Sequence, residues 1–458
     1  MQLRRTAPVL VAATAALAAV SLALPSSATP NGPAFGAPVK ITPANAGGYE
    51  PAIFADKYGN LFATAHKENA ELAVSPDDRD PSHIRSMSWA WYSDNNGTTW
   101  KNLPTGPAPV PGQTSADAFS HNFGDEGDMA TDDAGNLYFV DTNVTDITFT
   151  AWKATGRGKI SWTRHLPSVG FGEPLDDRPW VAAHNDGTVF YFGNEGDQTY
   201  VAGHQGEQYG NGSGPGRYTV YKSTDGGLTW DHIGTQLKDS GWCRPAAAPK
   251  SKYVYAFCGN DGGKLYSFVS ADDGATWNRY NVGTYTKGGG GWDTFPNLQV
   301  LADGTLWGFY LDPAEVSGGV VTRATFRAFR STDHGKHWKS FDISPAGKSS
   351  WQFEYGAMAV SADGKKLGYA VYGRPKPGVG YRAYATTFTL GQKPVLTSLD
   401  EAHPVTPDNY AEAPGDFLHA AFDKDNHLNV VWTHVALANP TGVQFKSLMR
   451  DIMFARSK

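Results

Sequence analysis

The chain has 458 residues, 40% of them hydrophobic, enough for one large core or for two or three ordinary domains. Glycine (52), proline (29) and tryptophan (14) are plentiful and charged residues make up only 18%, a composition of short strands and tight turns rather than helices. The formal net charge of −6 argues against nucleic acid or an anionic membrane as partner, because both reward positive surface.

The first element in chain order is a targeting segment. "MQLRR" is a short basic start, "APVLVAATAALAAVSLAL" an apolar run, and "PSSATP" a small-residue site with cleavage expected after Ala28. An uncleaved anchor is the alternative, since the run nearly reaches spanning length. Arg4-Arg5 faintly matches a twin-arginine signal, which the following residues do not support. Residues 1–28 are therefore read as a signal peptide and 29–458 as one domain, secreted and extracellular, with no membrane in the mature form.

"GAPVKIT" (36–42) comes next, a strand with no neighbour to pair with. After it one pattern recurs: a polar start, an alternating strand, a Gly or polar turn, an aromatic-rich strand. It appears at "EPAIFADKYGNLFATAH" from Glu50, "EGDMATDDAGNLYFVDT" from Glu126, "RPWVAAHNDGTVFYFGN" from Arg178 and "RPAAAPKSKYVYAFCGN" from Arg244. It continues at "FPNLQVLADGTLWGFYLD" from Phe295, "EYGAMAVSADGKKLGYAVYG" from Glu354 and "DFLHAAFDKDNHLNVVWTH" from Asp416. Seven copies imply seven blades, each opening with an inner hairpin. Six is the alternative count if one copy is accidental.

A second repeat follows copies one, three, four and five: "YSDNNGTTW" (92–100), "KSTDGGLTW" (222–230), "VSADDGATW" (269–277) and "RSTDHGKHW" (330–338). The shared Ser-x-Asp-x-Gly-x-x-Trp is turn chemistry. The short acidic or amide side chain accepts backbone N–H groups, Gly supplies φ > 0, and Trp covers the turn as the return strand begins. One active site does not need four copies of its acid, so structure is the better reading than catalysis. Copy two is followed by "FTAWKATGRGKISW", which keeps only the Trp, and copy six by "YRAYATTFTLGQKPV", which keeps nothing. Copy seven is followed only by "SLMRDIMFARSK", one strand short of a blade. The strand at 36–42 is expected to supply the missing one and close the ring.

These segments resemble Asp-boxes, or bacterial neuraminidase repeats, and the chain resembles the sialidase-like β-propellers. The resemblance implies an all-β single propeller of four-stranded blades, with the boxes between third and fourth strands on the face opposite the site. It implies a glycan-active protein, a glycoside hydrolase above all. Two alternatives stay open: a non-catalytic propeller that binds glycan or protein, and a polysaccharide lyase. The partner implied is an extracellular glycan, bound by a monomer. The first blade opens with Glu50-Pro51, where the family's Arg-Ile-Pro would stand, and "DRPW" (177–180) and "CRPA" (243–246) fall in later blades. Sialic acid specificity is therefore not implied.

Fold alone does not give function, so the site is sought where inner strands begin. Asp125, Glu126, Asp128, Asp177 and Asp293 are the acid–base candidates there, since crowded carboxylates push one another's pKa apart. Arg178 and Arg244 could clamp an acidic sugar. Tyr355 and Trp180, with Trp292 and Trp351, could stack on sugar rings. Glu354 with Tyr355 is suggestive of a reactive pair, although adjacent strand residues point to opposite faces. Asp416 completes the ring of polar starts. Tyr355 with His121, His419 or Arg244 could serve a lyase. The plain alternative for each residue is a polar cap on a channel mouth.

Cys243 and Cys258 flank a hairpin centred on Lys250–Ser251, so they would lie opposite each other within disulfide reach. Two buried free thiols are the alternative. "DEGDMATDD" (125–133) and "SPDDRDPSH" (75–83) cluster oxygen donors that would suit a structural calcium. Asp132 and Asp133 fit a hairpin turn better, and no cofactor is expected.

Overall fold

The computed structural model describes residues 32–43, 46–69, 88–104, 127–142, 147–169, 179–195, 217–231, 235–260, 262–286, 296–317, 320–408, 414–415, 417–437 and 448–458. The signal-peptide reading lies outside them. Among the described residues there is no helix. Seven antiparallel sheets of four strands succeed one another along the chain. Their first strands are Ala46–Ala55, Asp128–Thr131, Trp180–His184, Trp242–Ala247, Asn297–Val300, Gln352–Val360 and His419–Phe422. Each first strand touches the next and the seventh touches the first, so the inner strands form a closed ring. This is a seven-bladed β-propeller, and the count of seven stands.

The seventh blade closes as expected. Val39 pairs with Phe454 and Lys40 with Met453, so the N-terminal strand becomes the outermost of the last blade. The seam is held by Gly36 N to Arg456 O (2.8 Å), Ile41 N to Ile452 O (2.8 Å) and a Lys40–Asp451 ion pair at 2.6 Å. Beneath it Ile41, Ile53, Val431, Ile452 and Phe454 form one buried cluster spanning blades one and seven. The other apolar clusters likewise lie between adjacent blades, such as Phe62 with Met129 and Phe139. Each blade thus buries its two faces on its two neighbours.

The turns explain why the strands stop where they do. In the first hairpin of blade one, the Asp56 carboxylate accepts Tyr58 N (2.9 Å), Asn60 N (2.8 Å) and Asn60 Nδ2 (2.7 Å). Asp132 with Asn136 repeats this in blade two, and Asp423 with His427 and Asn429 in blade seven.

The Ser-x-Asp-x-Gly-x-x-Trp turns join third to fourth strands in blades one, three, four and five. In the fourth-blade copy Ser270 Oγ accepts Gly274 N (2.8 Å) and donates to Asp272 Oδ1 (2.8 Å). Asp272 Oδ1 also accepts Thr276 N (2.9 Å). Two successive residues are left-handed: Asn96-Gly97, Gly226-Gly227, Asp273-Gly274 and His334-Gly335. The Trp reaches further than its own turn. Trp230 packs on Phe149 (4.7 Å between rings), Trp277 on Phe192 (6.0 Å), Trp338 on Phe257 (5.5 Å) and Trp100 on Phe454 (5.3 Å). Every partner belongs to the preceding blade. Blade two lacks the motif, and there Arg157 bonds Asp94 O (2.7 Å) and Asn96 Oδ1 (2.6 Å) of blade one.

Cys243 and Cys258 form a fully buried disulfide between directly paired positions of blade four. A cross-link spanning 15 residues removes unfolded-state entropy worth about 3 kcal/mol.

Candidate functional site

The inner strands begin at one end of the ring, around an axial cavity to which all seven blades contribute. Its wall includes Glu50, Gly127, Trp180, Arg244, Asn297, Tyr355 and Phe417 to His419. One or more residues come from each blade in turn.

Blades two to four meet there through Asp128. Its side chain is 2% exposed. Oδ1 pairs with Arg244 Nη2 at 3.1 Å and Oδ2 accepts Val181 N at 3.0 Å, so one carboxylate ties three inner strands together. Burial raises the Asp128 pKa, and the charge of Arg244 beside it pulls the other way. Arg244 lies over the Trp180 ring at 4.1 Å. The Trp180 indole donates to Tyr218 Oη at 3.1 Å and meets the Phe417 ring edge-on at 5.8 Å. Asp128 thus has the geometry of a brace behind the wall, while Arg244 and Trp180 form part of the wall itself.

In blade six, Glu354 is buried and accepts the Tyr381 hydroxyl. Arg374 donates to Gln352 Oε1 at 2.7 Å and lies over the Tyr381 ring at 4.2 Å. Glu354 therefore points into the blade while Tyr355 lines the cavity. They do not follow plain alternation. The ladder shifts register between Glu354 and Gly356, and Tyr355 takes φ 47°.

Blade one repeats the device. Its register shifts between Tyr49 and Ala52, and Glu50 takes φ 54°. Glu50 N donates to Thr433 Oγ1 (3.2 Å), and His66 Nε2 stands 3.7 Å from Glu50 Oε2. The His66 ring lies on Tyr49 (4.1 Å), whose ring also carries Arg450 (3.9 Å). Tyr372, its hydroxyl pKa raised by burial, accepts Thr433 N at 2.9 Å.

His419 of blade seven is also on the wall. Its Nδ1 is 2.9 Å from Ile53 O and 3.3 Å from Ile53 N, so either tautomer holds the ring on the blade-one backbone. Burial, aided by the charge of Arg244, pushes its pKa down to about 3. It is a neutral imidazole at neutral pH, tied to blade one.

Asp125, Glu126, His121, Asp177, Arg178, Trp292, Asp293 and Asp416 lie outside the described residues. Trp351 is described, but it packs on Phe353 and Tyr384 with Lys348 over its ring, away from the cavity wall. The two bulged positions were missed from the sequence as a matched pair. Pro51, which cannot donate to a ladder, was the signal for the first. Among the described residues no group of three or more His, Cys, Asp or Glu could hold a metal ion. Both carboxylate oxygens of Asp132 accept from the chain, from Asn136, Tyr138 and Gly187, and Asp133 Oδ2 accepts Asn185 N (2.8 Å) and Lys250 N (2.7 Å).

No family model matches the chain, and no curated protein does. Solved structures do. A GH74 enzyme of Niastella koreensis is similar at 15% identity and TM-score 0.51 over 86% of this chain, which spans about half (52%) of that one. A protein of unknown function from Dyadobacter fermentans is similar at 13% identity and TM-score 0.47, over 93% of this chain and 100% of that one. A mutant NanB sialidase of Streptococcus pneumoniae is similar at 13% identity and TM-score 0.44, over 93% and 70% of the two chains. At these identities the likeness is one of fold alone.

Proposed function

We propose that this is a secreted glycan-active propeller, a glycoside hydrolase working at the axial mouth. The observation that carries this reading is the cavity to which every blade contributes, walled by Trp180, Tyr355 and Phe417 and edged by Glu50 and Arg244. Aromatic faces and a few convergent polar groups in a concave site are what ligand recognition needs. The glycoside-hydrolase class comes to this chain from the GH74 enzyme that shares its fold, as part of the proposal. Asp125, Glu126, Asp177 and Asp293 are the carboxylates assigned to acid–base work, and Arg178 is assigned to hold the sugar. The buried disulfide suits an oxidising compartment.

The test is release of reducing sugar by the purified protein from neutral glycosides, sialosides and uronate polysaccharides, alongside Asp177→Asn and Asp293→Asn. Release that either variant reduces at least a hundredfold supports the hydrolase. Unsaturated product absorbing in the ultraviolet would replace it with a lyase. One observation favours a second reading, a binding propeller: Asp128 and Glu354 are already engaged by Arg244 and Tyr381. Glycan retention without release would support that reading.

A further inference from the structure

Among the seven first hairpins, two break their ladder. Blades two, three, four, five and seven pair without a register shift, whereas blades one and six each insert a bulge at the mouth. The residue at each bulge is left-handed: Glu50 at φ 54° and Tyr355 at φ 47°. Neither is Gly, Asn or Asp, the residues that visit this region readily. Such strain persists only where the surroundings enforce it, and it gathers at ligand sites.

The surroundings of Glu50 do enforce it. Thr433 takes its N–H, His66 backs its carboxylate, and Gly415 lies so near that a Cβ there would sit 2.9 Å from Glu50 Cγ. Tyr355 packs partly on the cluster between blades six and seven. Both residues line the same cavity, with blade seven between their blades. A bulge re-aims a side chain that regular pleating would send elsewhere. Two bulges aimed into one cavity present a carboxylate and an aromatic ring to whatever occupies it.

The charge of the wall narrows the occupant. Among the described lining residues the one guanidinium, Arg244, is balanced by Asp128, and His419 is held neutral by burial. Among these described residues an anionic sugar would meet no unbalanced positive charge. The geometry points to Glu50 and Tyr355 as the residues that grip the ligand, an uncharged sugar ring whose hydroxyls bond Glu50 and whose C–H face lies on Tyr355. This rests on the glycan reading above, and it names the substrate class and the residues that select it.

Calorimetric titration of the full chain tests it. The probes are neutral oligosaccharides of glucose, xylose and arabinose, with sialyllactose and oligogalacturonate as the acidic arm. Glu50→Asn and Tyr355→Asn suit φ > 0 and remove the gripping groups. Each is expected to weaken neutral-sugar binding about 10- to 100-fold while melting at or above the parent temperature. Glu50→Gln, which keeps the shape, should show the same loss, and Tyr355→Phe should retain binding. Parent-like affinity in both Asn variants overturns the assignment, as does a lower melting temperature without loss of affinity. Binding of acidic probes alone overturns the uncharged ring and leaves the glycan reading standing. A parent protein that neither binds nor cleaves any saccharide overturns both.

Discussion

His419 shows how burial converts a titratable group into a structural one. Its pKa in the fold is about 3 against an ordinary 6.5, because burial disfavours the imidazolium and Arg244 repels it. As pH falls through 6.5, the unfolded chain binds the proton first. Stability must then fall with pH by up to about 1.4 kcal/mol per unit until the folded ring also protonates. Above pH 6.5 this residue contributes no slope. Thermal melts between pH 7 and 4 should show the loss, and His419→Asn should flatten it. An unchanged slope in the variant would assign the acid sensitivity to other groups. Asp128 carries the opposite sign: burial raises its carboxyl pKa against the pull of Arg244, so the folded form takes its proton before the unfolded chain does, and that contribution fades as pH rises.

At the scale of the element, the turn motifs were legible because their chemistry is local. Ser, Asp and Gly at fixed spacing satisfy one another within nine residues, and the structure shows those bonds. What the pattern could not show is the neighbour in space. Trp230 looks like a lid on its own turn, yet its ring completes a cluster with Phe149 of the blade before. Trp230→Ala should therefore cost about 3–5 kcal/mol, measured by denaturant unfolding, well beyond the loss of a surface hairpin contact. A cost below about 1 kcal/mol would return the Trp to a purely local role. The bulges at Glu50 and Tyr355 were hidden for a related reason. Strand alternation predicts where a side chain points only while the ladder stays in register, and Tyr355 is the unpaired residue where it slips between Glu354 and Gly356.

At the scale of the whole molecule, the blade count and the closing strand could be derived by bookkeeping. Seven hairpins, one short final blade and one unpaired strand leave a single assembly, and the ring takes it. The site did not follow from such counting, because it depends on two register slips and on which charges face each other across blades. Removal of residues 29–42 should expose the Leu448–Arg456 strand as a bare edge, uncover Ile452 and Phe454, and strip Ile41 from the seam. Scattering and thermal melts of the shortened protein should show lower stability and concentration-dependent association. A parent-like melt would mean that six intact blades hold the seventh without its outer strand.

That closing strand also imposes an order of events in time. Thr42 bonds Asp451 across 409 residues of sequence. During synthesis the segment around Val39 leaves the ribosome before any blade exists, and its partner emerges only after the strands of the other six blades. It must wait, extended and unpaired, through the assembly of everything between. Closure of the ring therefore waits on the Leu448–Arg456 strand, the last strand of the propeller in chain order.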